Sequence, residues 1–86
     1  MELIYPNKAS KIMMPVDLQG NPGKTIFEAA HRNPGTTIFW HLDKEYLGST
    51  ITFHQMALFP EPGQHTITII DEDGESLTRH FEIVAK

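Results

Sequence analysis

Apolar and polar residues alternate with a period of two along much of this chain. The clearest run is "TIFWHL", where Ile38, Trp40 and Leu42 fall on one side of an extended strand and Thr37, Phe39 and His41 on the other. In "QHTITII" His65, Ile67 and Ile69 share a face opposite Thr66 and Thr68, and in "LTRHFEIV" Leu77, Phe81 and Ile83 do the same. Between these two runs Asp71-Glu72-Asp73-Gly74 supplies a glycine tolerant of positive φ, so an antiparallel hairpin is predicted. Helical periodicity is poor: "KTIFEAAHR" has only a brief apolar pattern and stops at Asn33-Pro34-Gly35, which is turn chemistry. The pattern predicts strands over 3–5, 11–14, 24–31, 36–42, 45–47, 50–58, 64–70 and 77–84, with turns in "LQGNPG", "NPG", "PEPG" and "DEDGES". Within 50–58 Phe53 is out of phase with Met56 and Leu58, and a β-bulge near His54 or Gln55 would reconcile them.

Short strands at regular spacing predict an all-β fold, an immunoglobulin-like antiparallel β-sandwich of about seven short strands. Its core would be built on Phe27, Trp40, Leu42, Ile67, Ile69 and Phe81, with the indole between the two sheets. A chain of 86 residues has room for one hydrophobic core, so residues 1–86 are read as a single domain, with 1–9 as a loosely held lead-in. There is no cysteine, hence neither disulfide framework nor thiolate metal site. The formal net charge is −4 and no segment concentrates Lys or Arg, which argues against nucleic acid or an anionic membrane as partner. No run approaches eighteen apolar residues, and "MELIYPNKAS" lacks the parts of a signal peptide.

The candidate chemistry is thin. Five histidines, His31, His41, His54, His65 and His80, fall about one to a long strand, but no HxH, HxxxH or HExxH pair occurs, and the expectation is no metal and no cofactor. His65 follows Pro62-Gly63 at the start of a late strand, where an imidazole can bind the preceding corner through a backbone hydrogen bond, as a tyrosine does in related sandwiches. "GNPGKT" imitates a phosphate loop, but the position five before Gly23 is Leu18 rather than glycine, so a turn is the better reading. "DEDG" lacks the later ligands of a calcium loop and reads as a hairpin turn. Neither a GxSxG elbow nor an SxxK pair is present, and acids such as Glu61 with Asp71, or Asp43 with Glu45, read as solvated loop residues. No catalytic residue is expected.

The long stretch from "FEAAHRNPG" through "WHLD", "YLGST", "FHQ" and "PEPGQH" to "IIDEDG" resembles the C-terminal domain family of penicillin-binding protein 1C, and "IYPNKASKIMMPVDLQG" resembles the segment leading into it. Two departures touch turns only: Lys44 stands where glycine is common in that family, and Glu75 where asparagine is. The resemblance implies a context: a periplasmic domain at the C-terminus of an inner-membrane-anchored peptidoglycan glycosyltransferase/transpeptidase, whose reacting residues belong to other domains. It implies no site for the family's recurrent Phe27, Glu28, His31, Trp40, His41, Leu42, Asp43, Gly48, His54, Gly63, His65 and Gly74.

Two functions follow as expectations. One is a non-catalytic accessory module that scaffolds or recruits, contacting the transpeptidase domain of the same parent chain or a periplasmic cell-wall protein. In that reading the outward groups His41, Asp43, Tyr46 and His54 are the candidate contacts, and the domain itself touches neither membrane nor nucleic acid. The alternative is a peptidoglycan-binding sandwich, which needs Trp40 or Tyr46 exposed as a stacking platform.

Overall fold

The computed structural model describes residues 1–6, 10–14 and 24–85; the turn expected over "LQGNPG" and part of the lead-in lie outside these. Eight strands run in chain order: β1 Glu2–Tyr5, β2 Ser10–Met14, β3 Thr25–Ala30, β4 Thr37–Leu42, β5 Glu45–Ile51, β6 Gln55–Leu58, β7 Gly63–Asp71 and β8 Ser76–Ala85. They form a three-stranded sheet in the order β1-β3-β6 and a five-stranded sheet in the order β2-β8-β7-β4-β5. The expected all-β sandwich is what the chain adopts. One pairing departs from the antiparallel rule: β2 runs parallel to β8, Ile12 opposite Ile83.

Alternation explains the core. Phe27 and Ala29 from the smaller sheet meet Ile38, Trp40, Ile67, Ile69, Phe81 and Ile83 from the larger one, all buried, while Leu42 packs half-buried at the margin. Burying a side chain of this size stabilises by about 1.5–3 kcal/mol. An aromatic row crosses the gap between sheets: Tyr5 meets Phe27 edge-on at 6.1 Å, Phe27 meets Phe81 edge-on at 5.1 Å, and His65 stacks on Phe81 at 5.5 Å. Within the expected lead-in, Glu2–Tyr5 is a paired strand whose Leu3 is buried opposite Ala29.

The predicted 50–58 strand is two strands in different sheets, and no bulge is needed to explain its phase. β5 ends at Ile51, and the chain then turns at Thr52, which has a φ of 70° and brings Phe53 N–H 2.7 Å from the Ile51 carbonyl. From there β6 joins β3, with even positions His54, Met56 and Leu58 turned inward. Phe53 is therefore simply outside, at 81% exposure. The β7–β8 hairpin forms as predicted, with Ile69 opposite Leu77 and Gly74 at a φ of 87° in its turn.

Candidate functional site

Three polar networks tie the sheets together, and together they engage three of the chain's five histidines, His31, His54 and His65. The first lies at the end where β3 leaves the small sheet. β3 alternates Phe27 and Ala29 inward, so His31, two residues further, also points inward. Its Nε2–H donates to Asp71 Oδ2 at 2.9 Å, while its Nδ1 accepts Asn33 N–H at 3.0 Å. Asp71 is in phase with Ile67 and Ile69 and is buried for the same reason. Its Oδ1 accepts Asp73 N–H and Glu75 N–H at 3.0 and 2.9 Å, closing the β7–β8 turn. The His31 hydrogen bond, and the backbone bonds after it, outweigh burial and hold the Asp71 carboxyl below its ordinary range.

A groove of about 420 Å³ opens here, lined by Met1, His31, Arg32, Asn33, Asp71, Asp73 and Glu75. A paired histidine and aspartate beside a groove invite a catalytic reading. The hydrogen bonds argue otherwise, because both imidazole nitrogens and both carboxylate oxygens are engaged, leaving no free nitrogen to take a proton from a nucleophile.

The second network runs through the centre. Trp40 Nε1–H donates to Thr50 Oγ1 at 2.8 Å, and Thr50 Oγ1 lies 2.8 Å from His54 Nδ1. Since the hydroxyl oxygen already accepts from the indole, its own hydrogen is available for the imidazole. The carbonyl of His54 accepts Ala29 N–H at 2.8 Å, so the chain of bonds reaches from β4 through β5 to β3 in the other sheet. His54 is only 6% exposed, and its Nε2 meets no partner among the described residues. Burial, and then the nearby His31, pushes its pKa below the ordinary imidazole value.

The third network sits at the opposite end of β4. A two-residue connection, Asp43-Lys44, joins Leu42 to Glu45, with Asp43 at a φ of 58°. Asp43 Oδ1 accepts Thr66 N–H at 2.9 Å and Oδ2 faces His65 Nδ1 at 2.9 Å. The other nitrogen, His65 Nε2, lies 2.6 Å from the Glu61 carbonyl, the corner contact expected of this residue. Desolvation works against the Asp43 charge, but the His65 and Thr66 hydrogen bonds prevail and lower its pKa.

The residues proposed as contacts are thus dispersed. His41 and Tyr46 adjoin on the outer face of the larger sheet, rings 5.3 Å apart, with Tyr46 54% exposed. Asp43 is near them but engaged. His54 is not outward at all; it lies between the sheets near the far end of the β4–β5 pair, in the same inward phase as Thr50, Met56 and Leu58. Trp40 is fully buried. Sequence reasoning missed the His31–Asp71 pair and Arg79, whose Nη1–H groups donate to the Leu3 and Pro6 carbonyls at 2.8 and 3.0 Å. Strand parity carried the signal in each case, since each shares phase with core residues. Among the described residues no group of three or more His, Cys, Asp or Glu is arranged to hold a metal ion.

A family model described as the penicillin-binding protein C-terminus family matches residues 1–83. The chain belongs to that family. No curated protein matches the chain. Among solved structures the chain is similar to the fibronectin(III)-like modules of CbhA from Clostridium thermocellum, with a TM-score of 0.67 and 17% identity over 99% of this chain and 94% of that one. At that identity the likeness speaks for the fold alone. Within the C-terminus family's motifs as they stand here, the polar residues pair off: "AAHR" with "IIDEDG" through His31 and Asp71, "WHLD" with "PGQH" through Asp43 and His65, and the tryptophan with "YLGST" and "FHQ" through Thr50. Among the described residues no helix is long and apolar enough to cross a membrane.

Proposed function

We propose that this domain is a non-catalytic accessory module of a periplasmic, membrane-anchored peptidoglycan glycosyltransferase/transpeptidase. It acts as a brace that docks against the transpeptidase domain of its own parent chain. What supports the reading is where the free and the engaged residues lie. The polar residues that stand out in the sequence are used up in joining the two sheets, leaving little to perform chemistry. Of the seven large apolar side chains that are exposed among the described residues, four are on the outside of the smaller sheet or flank its edge strand β6: Ile4, Ile26, Phe53 and Phe59. Alternation puts Ala30 and Ala57 beside them, with the hydrogen-bonded Glu28 and Gln55 in the middle of the face and Glu2 at its margin. A patch of that kind on a small domain marks a contact surface, and a domain tethered to its neighbour meets it at high effective concentration.

The test is titration calorimetry of this chain against the isolated transpeptidase domain of its parent. Ile26→Lys places an unpaired charge on the middle strand of the face, opposite Ala57, and is expected to weaken binding at least about tenfold, with thermal stability unchanged. Tyr46→Ala, on the other sheet, is expected to bind as the wild type does. Binding indifferent to Ile26→Lys sinks the docking face. The glycan-binding alternative, which needs Trp40 or Tyr46 exposed, keeps Tyr46 beside His41, and retention of the chain by purified sacculi that Tyr46→Ala abolishes would favour it instead.

A further inference from the structure

His65 stands where the connection from β6 to β7 crosses between the sheets and meets the β4–β5 turn. Both ring nitrogens face acceptors: Asp43 Oδ2 at 2.9 Å from Nδ1 and the Glu61 carbonyl oxygen at 2.6 Å from Nε2. A carbonyl has no hydrogen to give. Asp43 is fixed as an acceptor too, since its second oxygen receives Thr66 N–H at 2.9 Å. A neutral imidazole carries one N–H and can satisfy only one of these partners; the imidazolium carries two and satisfies both. The remaining face of the ring lies on Phe81, at 5.5 Å and 26° between planes, where the aromatic quadrupole favours a cation.

We infer that His65 is an imidazolium latch, its two N–H groups tying the β4–β5 turn to the β6–β7 crossing, and that loss of one proton opens this end of the sandwich. The ionisable groups facing the ring are Asp43 from the turn and Glu61 from the crossing; β8 contributes the neutral Phe81. Burial alone would depress the imidazole, but the Asp43 and Glu61 hydrogen bonds and the charges of both acids outweigh it and raise the pKa above 6.5. The latch is therefore whole below about pH 6.5 and is lost as pH rises through the raised value. What it controls is the segment Phe59–Pro62, which carries the chain from one sheet to the other beside the exposed Phe59.

Long-range ¹H–¹⁵N NMR of the uniformly labelled 86-residue chain from pH 5 to 10 tests this directly. The His65 ring is expected to titrate with a midpoint above the ordinary imidazole value, both nitrogens at the protonated position below it, and the Lys44 and Gly63 amides are expected to shift with the same midpoint as the ring. Asp43→Asn keeps an acceptor for Thr66 but removes the charge, and is expected to weaken proton binding at His65 about tenfold. A wild-type His65 midpoint at or below the ordinary imidazole value overturns the imidazolium, as does a midpoint that Asp43→Asn leaves in place. Amide shifts confined to His65 itself overturn the opening.

Discussion

Thr50 is the residue on which the centre of the molecule turns. Its hydroxyl is acceptor for Trp40 and neighbour to His54 at 2.8 Å each, so one small side chain satisfies two large buried rings. Thr50→Val preserves shape and β-propensity while removing the hydroxyl, leaving the indole N–H and the imidazole without their partner. The expected cost is about 1–3 kcal/mol, the penalty of a buried polar group left unsatisfied, read from the urea midpoint with the slope unchanged. A variant as stable as the wild type would mean that the two rings find other partners. Trp40 itself was legible from its own strand, since alternation with Ile38 and Leu42 turns it inward. Thr50 was not, because nothing local distinguishes a threonine on a strand from one that serves a ring ten residues away.

At the scale of elements, the sheets are joined by polar bonds at both ends and through the centre, with an aromatic row crossing between them. Arg79 belongs to the inward phase of β8, between Leu77 and Phe81, where its stem covers apolar surface and its guanidinium reaches the Leu3 and Pro6 carbonyls of the opposite sheet. Arg79→Leu keeps the apolar stem and removes both bonds. It is expected to cost about 1.5–3 kcal/mol and to release β1 first, so that amide exchange at Ala30, opposite Glu2, accelerates more than at Ile69. Equal acceleration at both positions would show that β1 does not move on its own. The split of the expected 50–58 strand also belongs here. Phe53, out of phase with Met56 and Leu58, suggests a break in alternation, yet Thr50, His54, Met56 and Leu58 all keep the inward phase, and the local pattern does not separate a bulge from a change of sheet. What separates them is whether the strand after the break finds β4 or β3 as its partner.

Over the whole molecule, measuring 41 × 21 × 20 Å, the titratable networks lie at different places and respond to pH in different directions. His54, buried, binds its proton more weakly folded than unfolded, so stability falls as pH drops from about 6.5 towards its lowered value. His65 has the reverse sense, with stability lost as pH rises from about 6.5 through its raised value. Asp43 and Asp71, lowered from 3.8, and Glu72, lowered from 4.5 by its bonds to Thr37, lose their contribution as pH falls through those lowered values. The expected profile of unfolding free energy against pH is a maximum near neutrality, with a shallow acid shoulder that His54→Gln abolishes and a steeper fall at lower pH. A monotonic rise from pH 5 to 9 would contradict the opposed senses assigned to the two histidines.

The sequence by itself determined the all-β class, the β7–β8 hairpin with its glycine turn, the inward faces of β4, β7 and β8, and the corner role of His65. All of these are decided within one strand or one turn, where a period of two and the demands of a positive φ act on neighbouring residues. Only the tertiary structure decided that Leu3 completes the core, that β2 lies parallel beside β8, that His54 is sealed in rather than displayed, and that His31 belongs with Asp71 and Asp43 with His65. Each of these joins residues from separate strands, and register across strands is set by the packing of both sheets at once, which no single stretch of chain contains.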